Sequence, residues 1–77
     1  MVILGTIYIE PGLLDFIDAL PKNAIYFDVG ASTGVFAIYA AIRGNRTICF
    51  ESEVANFNIL TMNSIVNRCK VREKFAA

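Results

Sequence analysis

The sequence predicts an α/β chain in which two or three parallel strands with flanking helices form part of a doubly wound sheet. Three observations carry this. Apolar runs of strand length occupy 24–28, ending on Asp28, and 47–50, running into Glu51, and helical apolar spacing fills the stretches before, between and after them. Strands that alternate with helices build a parallel sheet through right-handed crossovers. The third observation is composition. Seventy-seven residues allow one small domain, which buries only about 60% of its unfolded surface, yet 56% of the residues are hydrophobic and 18% charged. That is more apolar than a small self-sufficient domain needs. The chain reads as a core segment that calls for cover, from a second copy in a homo-oligomer or from the remainder of a larger domain.

The elements follow in order. Residues 2–9 are rich in β-branched side chains and stop at Pro11-Gly12, so a strand or extended lead-in is expected. Leu13, Phe16, Ile17 and Leu20 lie at helical spacing with Asp15 and Asp18 opposite, predicting a short amphipathic helix closed by Pro21. Residues 24–28 (AIYFD) are continuously apolar up to Asp28, as in a strand buried on both faces. Residues 35–43 (VFAIYAAIR) are apolar almost all round, which predicts an enclosed helix stopped by Gly44-Asn45. A second buried strand runs from Thr47 to Phe50 and ends on Glu51. Ser52 is placed as N-cap of a helix over 53–68 with the apolar stripe Val54, Phe57, Leu60 and Ile65. The remaining CKVREKFAA begins a third strand or frays. The aromatic set Tyr26, Phe27, Phe36, Tyr39 and Phe50 reads as core. No internal repeat, linker or low-complexity tract interrupts this order.

Charge and cysteine usage exclude several function classes. Seven basic and seven acidic residues cancel, leaving no overall field to draw nucleic acid or an anionic membrane. Arg68, Lys70, Arg72 and Lys74 cluster near the C-terminus, better explained as a solvated segment than as a phosphate patch. Cys49 and Cys69 lack metal-ligand spacing and the chain has no histidine, so no metal site is expected. Cys49 in its apolar run fits a buried free thiol, and a reduced, cytoplasmic setting is expected. The first ten residues carry no basic segment of a signal peptide, and no apolar run approaches the ~20 residues of a membrane span. Asn45-Arg46-Thr47 matches a glycosylation triplet, a pattern that arises often by chance.

The chemistry concentrates after the strands, because ligands of such sheets bind outside the carboxyl ends of the strands. Between the first strand and the helix at Val35 stands Asp28-Val29-Gly30-Ala31-Ser32-Thr33-Gly34. Gly30 lets the backbone pass close to a ligand, Gly34 lets the helix start pack tightly, and the small residues Ala31, Ser32 and Thr33 keep the space open. Glu51 follows Gly30 by 21 positions. An acid about 20 positions beyond a glycine loop is placed to accept hydrogen bonds from both hydroxyls of a ribose. The blander alternatives are that Asp28 caps the turn, that the glycines are ordinary turn residues, and that Glu51 and Ser52 merely start a helix.

The loop lacks the G-x-G-x-x-G of dinucleotide-binding proteins and reads D-x-G-x-x-x-G. Here the sequence resembles the S-adenosylmethionine-dependent methyltransferases of the FkbM type, with a second signature in register at Phe50-Glu51, Asn56-Phe57, Leu60, Asn63 and Asn67. The resemblance covers about residues 24–67. Both prolines of that signature are replaced, by Ser52 and Val54. The resemblance implies a Rossmann-like methyltransferase domain with S-adenosylmethionine as cofactor: Asp28, Gly30 and Gly34 shape the pocket for its methionine part and Glu51 holds the ribose, with Ala31, Ser32 and Ser52 counted among the cofactor-binding residues. It also implies methyl transfer to an oxygen acceptor, which the sequence does not name. No catalytic residue is assigned. Methyl transfer mainly needs alignment, and this chain supplies one wall of such a site. The expectation is a single truncated cofactor-binding unit over 1–77 that need not be active alone. Two rival readings stay open, a nicotinamide dinucleotide-binding Rossmann protein and a non-enzymatic oligomerising interaction module.

Overall fold

A computed structural model describes residues 1, 3–5 and 11–76. The described elements are α1 (Pro11–Asp18), β1 (Ile25–Val29), α2 (Val35–Ile42), β2 (Arg46–Glu51), α3 (Val54–Val66) and β3 (Val71–Phe75). The strands form one parallel sheet in the order β1-β2-β3, with Asp28 beside Cys49 and Cys49 beside Glu73. The expected lead-in strand over 2–9 lies largely outside the described residues, and Leu4 and Gly5 form a bend.

Helix α1 begins at Pro11, two residues before the expected start, because proline's fixed φ suits a first helical turn. It ends at Asp18, where Leu20 N–H turns back to the Ile17 carbonyl. Arg43 fastens this end to α2, donating through Nη1 to Ile17 O at 2.5 Å and through Nη2 to Asp18 O at 2.9 Å. Asn45 is buried and its Nδ2 donates to the Pro21 and Ala24 carbonyls at 2.8 and 3.1 Å. The amide of the Asn45-Arg46-Thr47 triplet is thus consumed as a loop brace, which gives the triplet a structural reason and leaves no accessible acceptor for a sugar.

Side chains alternate across the sheet, so Tyr26, Thr47, Cys49 and Glu51 share the face that the helices cover. One core group joins Ile17, Tyr26 and Ala40, and another joins Ala31, Ala37, Cys49 and Leu60. Full burial of a side chain such as Ile38 or Leu60 contributes roughly 1.5–3 kcal/mol. Burial also pushes the Cys49 thiol up to about 12, so it packs as a neutral group.

The opposite face corrects the expectation that the first strand is buried on both sides. Ile25 and Phe27 are exposed and Val29 is 82% exposed. Two successive right-handed crossovers running in one direction put α2 and α3 on the same face, and α1 packs on α2. Phe27 is accordingly surface in this chain, not core. Helix α3 brings two further corrections. Its N-cap is Glu53, whose Oε2 accepts from Asn56 N–H at 2.7 Å, while Ser52 stays exposed. Of the expected stripe only Leu60 is fully buried; Val54 and Ile65 face outward, and Asn63 and Ser64 take the inner positions. The last segment forms a strand, with Arg72 and Lys74 exposed along it.

Candidate functional site

The parallel register brings the ends of β1 and β2 level, Val29 beside Phe50. The chain then leaves β1 through a turn built on unusual backbone angles: Gly30 at φ 72, Ser32 at φ 57 and Gly34 at φ 88. The two glycines serve different needs. A Cβ on Gly30 would meet nothing within 4 Å, so only the backbone angle demands glycine there and the space before it is open. A Cβ on Gly34 would collide with the fully buried Leu60 side chain, so that glycine is also demanded by packing.

Hydrogen bonds tie this turn to β2. The N–H groups of Gly30 and Ala31 both donate to the Phe50 carbonyl, at 2.9 and 3.0 Å, and Gly34 N–H donates to Ala31 O at 3.0 Å. Ser32 N–H donates to Glu51 Oε1 at 2.6 Å, and Glu53 N–H donates to Glu51 Oε2 at 2.8 Å. Glu51, 7% exposed, is therefore the bridge between the glycine turn and the turn that opens α3. These backbone donors, Glu53 first and Ser32 next, hold its carboxyl below the usual carboxylate range. Each oxygen still has a lone pair, because a carboxylate offers about four acceptor sites.

Asp28 is the contrasting acid. It sits half-buried, and its Oδ2 is buried with no hydrogen-bond partner. Burial, and secondarily the charge of Glu51, pushes its carboxyl above the usual range. A buried carboxylate oxygen without a donor is costly unless a cation or hydrogen-bond donor arrives. At the far end of the same turn, α2 starts at Gly34 with no side-chain cap, and an uncapped helix start favours negative charge. An orphaned carboxylate at one end of a turn and an uncapped helix start at the other suit a zwitterion, whose ammonium and carboxylate need opposite partners.

The structure thus gathers the predicted residues unequally. Asp28, Gly30, Ala31, Ser32, Gly34 and Glu51 meet around one turn; Ala31 is buried in the core and Ser52 stands exposed after Glu51. Asn63 is the residue that sequence reasoning undervalued. Fully buried, it donates from Nδ2 to Thr33 O at 2.8 Å and Leu4 O at 3.1 Å, and accepts Leu4 N–H at 2.8 Å. It braces the glycine turn from behind. An asparagine at a position where α3 should be apolar was the available signal. Among the described residues no three His, Cys, Asp or Glu side chains gather to hold a metal ion, and no helix is long and apolar enough to cross a membrane.

No family model matches the chain, and no curated protein does. Solved structures do match. The tRNA (uracil-54, C5)-methyltransferase of Pyrococcus abyssi, in complex with S-adenosyl-L-homocysteine, superposes with a TM-score of 0.75 at 21% identity, over 87% of this chain and 17% of that one. A TehB-like SAM-dependent methyltransferase from Corynebacterium glutamicum gives 0.71 at 18% identity, over 86% and 34%. A SAM-dependent methyltransferase from Agrobacterium tumefaciens gives 0.66 at 14% identity, over 82% and 21%. This chain spans at most about a third of the length of these neighbours. Its three-stranded parallel sheet with flanking helices has the Rossmann-like fold found in S-adenosylmethionine-dependent methyltransferases.

Proposed function

We propose that this chain is the S-adenosylmethionine-binding portion of a methyltransferase, of the FkbM type by its paired motifs, transferring methyl to an oxygen acceptor in the complete protein. The carrying observation is the orphaned Asp28 Oδ2 on the same strand-turn-helix unit as the uncapped start of α2. The methionine part of the cofactor is a zwitterion: its ammonium would satisfy Asp28, and its carboxylate is suited to the helix start. Glu51 would accept ribose hydroxyls on its remaining lone pairs while still holding Ser32 and Glu53. When bound, the cofactor supplies a methyl group already activated by its sulfonium. The chain's own residues bind and orient it, and the acceptor wall lies elsewhere. Activity on a uracil base belongs to the Pyrococcus neighbour.

The dinucleotide reading is disfavoured for a physical reason. A pyrophosphate needs free backbone N–H groups, but those of Gly30, Ala31, Ser32 and Gly34 are already donated within the protein. Asp28 and Glu51 add negative charge at the same place.

The test is calorimetric titration of the folded chain with S-adenosylhomocysteine and, separately, with 5′-methylthioadenosine, which lacks the amino-acid part. Asp28→Asn is expected to weaken the first by about tenfold and spare the second, whereas Glu51→Gln weakens both. Equal affinities in wild type and variants, or no binding by the folded chain, would remove this reading.

A further inference from the structure

At the other end of the sheet, the loops that leave α2 and α3 border a cleft of about 510 Å³. Arg46, Arg68 and Lys70 line it, and no Asp or Glu does. All three cations are exposed, and among the described residues none has a carboxylate partner; the salt bridge formed is Arg43 to Asp18. The neighbouring polar groups are committed or neutral. Asn45 braces the Pro21 and Ala24 carbonyls, and burial pushes the Cys69 thiol up, keeping it uncharged.

A simpler role for these cations is to neutralise the C-terminal ends of α2 and α3, which finish at this cleft. Each helix end carries about half a negative charge. Two ends therefore call for about one positive charge, and the three side chains leave an excess of about two. Arg68 adds a second argument. It holds φ 52 directly after α3, with its N–H on the Ile65 carbonyl at 3.0 Å. Glycine is the usual occupant of that left-handed position, so arginine stands there against its backbone preference.

We infer that this cleft binds a compact phosphate-bearing ligand of the diphosphate class. Its volume is that of a small-molecule site, and two guanidinium forks with one ammonium can satisfy several phosphate oxygens at once. Along β2 it lies roughly 17 Å from Glu51, at five residue steps of about 3.3 Å. It is thus a separate site, and its fate does not depend on the cofactor reading.

The experiment is an amide NMR titration of the chain with inorganic pyrophosphate at low salt, with a short oligothymidylate titrated in parallel. Pyrophosphate is expected to shift the Arg46, Arg68 and Lys70 resonances and to spare Gly30 and Ser32. Arg46→Gln and Lys70→Gln should each weaken it by about tenfold. Arg68→Gly should do the same without lowering the melting temperature, since it removes charge while relaxing the backbone. No shifts up to about 10 mM pyrophosphate, unchanged affinity in the variants, shifts centred on the glycine turn, or response to the oligonucleotide alone would each overturn the inference.

Discussion

The two ends of the sheet differ in what their charged side chains do. At the carboxyl end, Glu51 gives both carboxylate oxygens to the backbone of its own protein, and the adjacent turn is braced again by Asn63. At the amino end Arg46, Arg68 and Lys70 hold no carboxylate among the described residues and face a cleft. A chain whose charges sum to zero thus places Asp28 and Glu51 toward one end of the sheet and Arg46, Arg68 and Lys70 at the other. Net charge measures neither local field. The difference also teaches that a turn can be built mainly of residues that shape backbone, while one buried side-chain oxygen, Asp28 Oδ2, has no hydrogen-bond partner among the described residues.

The sharpest way to break the carboxyl end is Gly34→Ala, which combines a left-handed backbone with a collision against Leu60 and is expected to cost about 3 kcal/mol, read from the urea midpoint. Asn63→Leu comes next. It removes the amide that holds Thr33 O and both Leu4 backbone groups, a loss of about 2 kcal/mol, and amide exchange should quicken at Ser32 and Thr33. Gly30→Ala carries the backbone cost without a clash, about 1 kcal/mol. A loss equal to that of Gly34→Ala would refute the open space before Gly30.

The two acids sharpen the comparison through pH, with opposite signs. The folded pKa of Glu51 is depressed, so its ionised form adds stability that is present above the unfolded value of roughly 4 and lost as pH falls through the folded pKa. The folded pKa of Asp28 is raised, so stability falls as pH rises from its unfolded value through the folded one. Urea midpoints across acid pH should therefore lose their rising limb in Glu51→Gln and their falling limb in Asp28→Asn. Asp28→Asn should also be no less stable than wild type at neutral pH, because it removes an unpaired buried charge.

Much of the fold was legible because local physics set it. The strand ends at Asp28 and Glu51 and the helix stop at Gly44 follow from apolar runs and turn chemistry, and each lies within two residues of its expected place. The errors share a cause. Ser52 was expected to cap α3 because a serine preceded the helix, yet Ser52 follows Glu51, whose carboxylate draws in the Glu53 N–H, and the cap falls to Glu53. The α3 stripe failed where Asn63 and Ser64 are buried, because their partners, Leu4, Thr33 and the Cys69 carbonyl, belong to other segments. Periodicity counts apolar residues and has no means to see a buried amide satisfied from elsewhere.

The sequence by itself determined the order of elements, the glycine turn and the acid 21 residues beyond it, because propensity, backbone freedom and spacing act over a few neighbours. Tertiary structure alone decided that Glu51 bridges to Ser32 across 19 residues and Asn63 to Leu4 across 59. It also decided that one sheet face is left bare, that Asp28 loses a partner, and that Arg46 joins Arg68 and Lys70 around a cleft. Desolvation and Coulomb interaction depend on distance in space, and only the folded chain sets those distances.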